Sequence, residues 1–154
     1  MILDRTISPV SYKMKKQNFF VPKKICSRKG IDIFLVSFGN EEIVKIEFFF
    51  ESGIWYEKKN GESYFSSILI QEGSKNKNQN DIADFFDFHG AFFSVKNGVD
   101  YTSVSISCLA KFVEKILNFF FEMINFLDPK EDRFIHLKDL EVQKIKIRNA
   151  EIDF

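Results

Sequence analysis

Histidine is scarce in this chain, which has only two among its 154 residues, His89 and His136. Neither lies at a metal-site spacing from the other or from a cysteine. The two cysteines, Cys26 and Cys108, are far apart in strand-like runs, so they predict buried apolar side chains rather than a disulfide framework. These patterns predict no metal and no cofactor.

An excess of charge of one sign is also missing, because 22 basic residues balance 22 acidic ones. A net charge of zero gives no electrostatic reason to expect binding to nucleic acid or to an anionic membrane. Charged residues interrupt the most apolar run, residues 111–127, so no stretch is predicted to span a bilayer. Asp4 lies where a signal peptide needs basic residues. These absences predict a cytoplasmic protein that binds neither nucleic acid nor membrane.

Catalytic groups are not arranged at recognisable spacings. Ser66 and Ser67 have no base at such a spacing, and the serines at 103, 105 and 107 alternate along a predicted strand, which is typical of a solvated face. The glycines lie at predicted turns rather than in a phosphate-binding loop. By its own chemistry the sequence therefore predicts no catalytic residue.

Apolar residues are plentiful: they make up 45% of the chain, and phenylalanine alone occurs 20 times. Residues 1–23, with Pro9 and Pro22, are predicted to form an N-terminal arm, and residues 24–154 one domain with a core. Alternating patterns predict strands over residues 24–27, 31–38, 44–51, 91–95 and 101–109. Helical patterns predict helices between Gly61 and Gly73, and over residues 82–89, 111–126 and 131–154. This order predicts an α+β fold, with helices packed on one face of a mostly antiparallel sheet.

Three local predictions accompany this fold. Asn80 is the predicted N-cap of the second helix. Asn97-Gly98 is the predicted tight turn between the last two strands. The strand over residues 31–38 has apolar residues in both alternating sets, which predicts burial on both faces.

The segment from Asn60 to Ser74 contains a short predicted helix in which Tyr64, Ser67 and Ile68 lie within one turn or so of each other. Its surroundings resemble the pitrilysin (insulinase) family of inverzincins, whose helix carries His-x-x-Glu-His. In that family a strand ending in Gly-Ser and an acidic residue precedes the helix, and Gly-Thr follows it. Residues 48–53 and Gly73-Ser74 take those places here.

The resemblance assigns the three motif positions to Tyr64, Ser67 and Ile68. It assigns the third zinc ligand, a glutamate in a later long helix, to Gln143. All four positions have lost the family's chemistry, which implies an inactive homologue without zinc.

The resemblance extends to both sides of this helix. Residues 81–90 and 90–102 resemble the family's next helix and hairpin. Leu3-Asp4-Arg5, residues 84–88 and Cys108-Leu109 resemble bacterial members that lack the zinc motif and are understood to act beside a zinc-bearing homologue. The resemblance therefore implies a partner subunit in a hetero-oligomer, which forms half of a clamshell that encloses a peptide.

A peptide edge is implied as well, because in the family the substrate adds as a strand to the sheet edge that here is Phe93, Ser94 and Val95. An ordinary or covered edge strand is the alternative. A family protomer continues beyond the last residue of this sequence, so a truncated first domain is expected. Two other functions remain open, namely a degenerate fragment without a partner, or a zinc endopeptidase with a metal site relocated to Cys26, Cys108, His89 and His136.

Overall fold

The computed structural model of the chain describes Tyr12 and residues 19–152. Contacts divide the chain into two units, with the boundary between Glu41 and Glu42. The first unit contains an antiparallel hairpin of strands β1 (Lys23–Arg28) and β2 (Ile31–Leu35). Lys29 and Gly30 join the strands, and both have positive φ angles of 53° and 82°, as a two-residue hairpin turn of this kind requires. The predicted hairpin is therefore confirmed. Most of the predicted arm lies outside the described residues.

The prediction that β2 is buried on both faces is wrong. All five of its side chains are exposed, including Ile33 and Phe34. A two-stranded hairpin supplies no second layer to cover its own faces. Cys26 on β1 is exposed for the same reason, whereas Cys108 is buried as predicted.

The second unit contains the remaining elements. In chain order they are β3 (Ile43–Phe50), α1 (Glu62–Leu69), β4 (Gly73–Ser74), β5 (Lys77–Asn78), α2 (Gln79–Phe88), β6 (Phe92–Asn97), β7 (Thr102–Leu109), α3 (Val113–Asn125) and α4 (Glu131–Ile152). Strands β3, β7 and β6 form an antiparallel sheet in that order, and β4 and β5 pair separately. The predicted α+β class is confirmed. No helix among the described residues is both long enough and apolar enough to cross a membrane.

The core of the second unit lies on one face of the sheet. Val104, Ile106 and Cys108 of β7 are buried there, whereas the three serines between and before them remain half-exposed. Phe120 of α3 is fully buried and stacks on Phe48 of β3 with ring centroids 4.9 Å apart. The alternation that was visible in the sequence thus separates the helix-covered face from the other face.

Helix α2 begins one residue after Asn78, so the prediction of Asn80 as its N-cap is wrong. The Asn78 Oδ1 accepts hydrogen bonds from the backbone nitrogens of Asn80 and Asp81 at 2.8 and 3.1 Å. The Asp81 carboxylate accepts one from the backbone nitrogen of Asn78 at 2.8 Å, which completes a capping box. The apolar stripe of α2 begins at Ile82. This pattern alone does not determine whether Asn78 or Asn80 is the N-cap.

The turn between β6 and β7 is centred on Val99 and Asp100 rather than on Asn97-Gly98. The backbone nitrogen of Gly98 donates to the Tyr101 carbonyl at 3.0 Å, which makes these two residues the flanks of the turn. A short 3-10 turn at residues 54–56 packs against it, and a Cβ on Gly53 would overlap the Val99 carbonyl group. Glycine is therefore required at position 53 for this close approach.

The Asn78→Ala variant is expected to lose about 1 kcal/mol of the free energy of unfolding, because two backbone donors at the start of α2 lose their acceptor. The Asn80→Ala variant, which changes an exposed side chain on the first turn, should lose only a few tenths of a kcal/mol. Urea denaturation of both variants measures the difference. Equal losses would contradict the assignment of the cap.

Candidate functional site

Acidic side chains fix the start of helix α1. The Glu57 carboxylate accepts hydrogen bonds from the backbone nitrogens of Gly61 and Ser63 at 3.1 and 2.9 Å. Gly61 has a φ of 87°, in the left-handed region that glycine tolerates best. Negative charge near the first turn also interacts favourably with the helix dipole. The sequence Asn60-Gly61-Glu62 thus begins a helix at a defined residue.

A buried polar cluster ties α1 to the sheet. The Ser63 hydroxyl donates to the Ser52 carbonyl at 2.6 Å and contacts the Asn97 side chain at the end of β6. The Thr102 hydroxyl also bonds to the Ser52 carbonyl, at 3.1 Å, and both hydroxyl residues are buried. Buried polar groups are costly unless they are bonded, so this cluster defines where α1 lies relative to β6 and β7.

The side of α1 that contacts α4 is the candidate site. The Tyr64 hydroxyl donates to Glu141 Oε2 at 2.9 Å. The Phe65 ring meets Phe134 edge to face, with ring centroids 5.3 Å apart. Residues 64 and 65 of α1 therefore contact α4 through one polar pair and one aromatic pair. Their partners on α4, Glu141 and Phe134, are seven residues apart.

An ion pair beyond the end of α1 also holds α4. Two nitrogens of Arg133, Nε and one terminal nitrogen, bond to the same oxygen of Glu72 at 2.8 and 2.6 Å. The Glu72 side chain is only 7% exposed, so solvent screens this pair less than an ordinary surface pair. Together with the contacts of Tyr64 and Phe65, it defines the position of the first half of α4.

The surroundings shift the pKa values of both partners in the Tyr64–Glu141 bond. Burial, together with the neighbouring Glu141 carboxylate, raises the pKa of Tyr64. The hydrogen bond from Tyr64, and then the Lys144 ammonium group at 3.2 Å, lower the pKa of Glu141. Both shifts favour a neutral hydroxyl donating to an ionised carboxylate. Bonds of this charge-assisted kind are stronger than neutral ones.

The other predicted positions are not aligned with this bond. Ser67 is buried, and its hydroxyl donates to the Tyr64 carbonyl at 2.6 Å within α1. Ile68 is half-buried, and Gln143 is exposed. Positions 141 and 143 point about 200° apart around a helix, so the structure brings Glu141 to Tyr64 and leaves Gln143 on a different side of α4.

Glu141 was not singled out from the sequence. Its position follows from the packing of two helices that are far apart in the chain. A count of residues between motifs does not determine which residue of α4 lies next to Tyr64. One signal was available, because Phe134 and Glu141 are seven residues apart and therefore share a face of α4.

These residues do not fit a catalytic zinc ion. Such a site needs three protein ligands and an open position, whereas Glu141 faces the hydroxyl of Tyr64, and Ile68, one turn further along α1, has no ligand atom. Among the residues that the structure describes, no three His, Cys, Asp or Glu side chains come together to hold a metal, His89 and Cys108 included. His89 is buried instead, with its Nδ1 2.7 Å from the Phe85 carbonyl.

Strand β6, which contains the predicted peptide-edge residues, lies at one end of the described three-stranded sheet. Every second residue of β6 forms backbone hydrogen bonds with β7, and the Gly98–Tyr101 hydrogen bond determines which ones. They are Phe92, Ser94 and Lys96. The N–H and C=O groups of Phe93 and Val95 therefore point away from β7. No described backbone group outside the sheet bonds to them.

The second unit is thus an α+β domain in which a tyrosine–glutamate bond joins two helices. The Insulinase (Peptidase family M16) family matches the chain over residues 33–152, and the chain belongs to this family. The family resemblance seen in the sequence is thereby confirmed.

Two solved structures share the fold. One is described as the inactive domain of a peptidase M16 from Pseudomonas fluorescens, with a TM-score of 0.77, 18% identity and coverage of 83% of this chain and 32% of that one. The other is a protease from Helicobacter pylori, with a TM-score of 0.73, 18% identity and coverage of 84% and 32%. The chain therefore spans 32% of the length of each structure. No curated protein matches the chain.

The Tyr64→Phe variant is expected to lose about 1–2 kcal/mol of the free energy of unfolding at pH 7, because Glu141 keeps its position but loses its donor. The loss should shrink as the pH falls. Since the folded-state pKa of Glu141 lies below its ordinary value of about 4.3, its contribution is present above that value and disappears as the pH passes through the folded pKa.

Chemical denaturation between pH 7 and pH 3 measures this dependence. The Tyr56→Phe variant is the matched control, since Tyr56 is 54% exposed and its removal should change little at any pH. A loss for Tyr64→Phe that stayed constant over the whole range would show that Glu141 is not its partner.

Proposed function

We propose that the chain is a non-catalytic member of its family, and that it acts as a structural partner subunit. In this role it helps to form a peptide-enclosing chamber with an active, zinc-bearing homologue. The Tyr64–Glu141 bond is the observation that carries the proposal. It occupies the side of α1 that the resemblance assigns to the metal. Metal-assisted hydrolysis needs a metal ligand set and a general base together, and this face supplies neither.

Glu141, rather than Gln143, is the proposed counterpart of the family's glutamate ligand. Ligands that share one metal ion must converge on a point. Tyr64, at the first motif position, lies 2.9 Å from Glu141, whereas Gln143 is exposed on another side of α4. The carboxylate is thus the one member of the set that keeps its chemistry.

An exposed apolar patch supports the partner role. We define it as Phe49, Trp55, Val99 and Tyr101. The Phe49 and Tyr101 rings meet edge to face at 6.5 Å, and the Trp55 backbone nitrogen donates to the Val99 carbonyl at 2.9 Å. Trp55 is 79% exposed. Apolar patches of this kind on a folded domain commonly mark association surfaces.

The proposed location is the cytoplasm of a bacterium. Both cysteines, Cys26 and Cys108, are free thiols, and free thiols fit a reducing compartment.

The partner role predicts a complex between this chain and a homologue from the same genome that carries His-x-x-Glu-His. The two proteins should elute together in size-exclusion chromatography with light scattering, and the chain alone should hydrolyse no peptide. The Trp55→Glu variant should weaken the complex at least tenfold, because it places a charge in the patch. The Phe88→Glu variant, which changes an equally exposed aromatic residue on α2, should not.

Absence of any complex with such a homologue would contradict the partner role. Chelator-sensitive peptidase activity that stayed with the chain through purification would contradict the non-catalytic assignment.

Restoring the motif tests the assignment of positions. A triple variant, Tyr64→His with Ser67→Glu and Ile68→His, is expected to bind about one zinc ion per chain, with Glu141 as the third ligand. Affinity should be lower than in a natural enzyme, because second-shell partners that orient the imidazoles are absent. Adding Glu141→Ala should abolish binding, whereas adding Gln143→Glu should not increase it. The zinc content per chain is measured after dialysis. Zinc binding only by the variant that also carries Gln143→Glu would contradict the assignment.

A further inference from the structure

The second half of helix α4 lies apart from the rest of the domain. Among the described residues, the hydrogen bonds, ion pairs and aromatic contacts that join α4 to other elements involve positions up to Glu141. Residues 142–150 are all exposed, and Val142 and Ile145 are among them. Helices in proteins are stabilised mainly by packing of an apolar face, so this part of α4 is expected to pack against a further element.

A stripe with the spacing of a coiled coil runs along one side of α4. We define it as Ile135, Lys138, Val142, Ile145 and Asn149, which follow one another at alternating steps of three and four residues. At 100° per residue, these five positions lie within about 80° of one another around the helix. Such a stripe packs lengthwise against a second helix. Its three apolar members are exposed in the single chain.

A second copy of α4 complements this stripe when it runs antiparallel. If Val142 of one helix lies opposite Ile145 of the other, then Lys138 lies opposite Asn149, and twofold symmetry repeats both pairs. Apolar side chains therefore meet apolar ones, and the lysine meets an amide oxygen that can accept its hydrogen bond. A parallel pair would instead place the two copies of Lys138 opposite each other, where like charges repel.

The charges that flank the stripe also favour the antiparallel arrangement. Residues at these flanking positions pair across a coiled coil and determine which partner and orientation it accepts. In the antiparallel pair, Asp139 lies near Lys146 of the second copy, and Glu141 lies near Arg148 on the other flank. Each of these pairs joins opposite charges. In the single chain, Asp139 and Lys146 have no ion-pair partner among the residues that the structure describes.

We propose that the second half of α4 is a self-association surface, through which two copies of the chain pair antiparallel about a twofold axis near residues 143 and 144. One helix from each copy forms the contact, so it is smaller than the interfaces of about 1,200 Å² or more that hold stable complexes. The dimer is therefore expected to be weak. This inference goes beyond the proposed function, because the apolar patch around Trp55 contains no residue of α4.

Sedimentation equilibrium of the full chain, at concentrations from about 5 to 200 µM, tests the inference. The unchanged chain should form dimers as its concentration rises. Ile145→Asp should weaken the dimer at least tenfold, because it places a charge in an apolar layer. Ile147→Asp is the matched control. Ile147 is 60% exposed on the same helix, but it points about 200° away from Ile145, so its replacement should change little.

Charge reversal tests the orientation of the two helices. Asp139→Lys and Lys146→Asp should each weaken the dimer about fivefold, because each places like charges side by side twice. The combined variant should recover, since opposite charges then face each other again. No charged residue lies three or four places from either position, so these changes leave the pairs within α4 intact. In a parallel pair Lys146 would lie near Glu141 instead, and Asp139→Lys could not restore the contact.

Three results would overturn the inference. They are a monomer at every concentration, equal weakening by Ile145→Asp and Ile147→Asp, and single charge reversals whose combination does not recover. Circular dichroism and urea denaturation confirm that each variant folds.

The surface around Trp55 is tested separately. Trp55→Glu should leave self-association unchanged, and a loss of the dimer in this variant would place the contact on the apolar patch and overturn the inference. Ile145→Asp should leave the complex with the zinc-bearing homologue unchanged. The proposed partner role and the self-association of α4 therefore fail on different measurements.

Discussion

The hydrogen bond from Tyr64 to Glu141 is the contact on which the candidate site depends. It joins α1 to α4 across 77 positions of the chain, and the aromatic pair of Phe65 and Phe134 lies beside it. A charge-assisted bond between two helices can take the structural place of a metal ion, because both bring the same two elements together. Under the proposed function, the chain keeps this contact between the helices in place of the family's metal chemistry.

The contacts that place α1 and β6 are separate from the Tyr64–Glu141 bond. Helix α1 is held beside the sheet by the buried bonds of Ser63, Ser52 and Thr102, none of which involves the lost motif. Strand β6 offers backbone groups whose affinity for an extended chain depends little on side-chain identity. In the proposed partner role, these groups would hold a peptide that the domain does not cleave.

Most of the fold follows from local patterns, and most of the site does not. The alternation of Val104, Ile106 and Cys108 with serines predicts both the strand and its buried face. The exposed hairpin strand β2 has an equally apolar pattern, but burial requires a covering layer that no local pattern reveals. Glu141 shows the same limit for the site. Its distance from Tyr64 in space depends on every loop between α1 and α4, so a count along the chain selected Gln143, which lies on a different side of the helix.

A double-mutant cycle on Tyr64→Phe and Glu141→Gln, measured by urea denaturation at pH 7, tests the central contact most directly. Each single variant removes one partner of the bond, and the cycle isolates their interaction from effects on the rest of the protein. A coupling free energy of about 1–2 kcal/mol is expected for a charge-assisted bond. The same cycle with Gln143→Ala in place of Glu141→Gln should show additive losses. Additive losses for Tyr64 and Glu141 themselves would contradict the account.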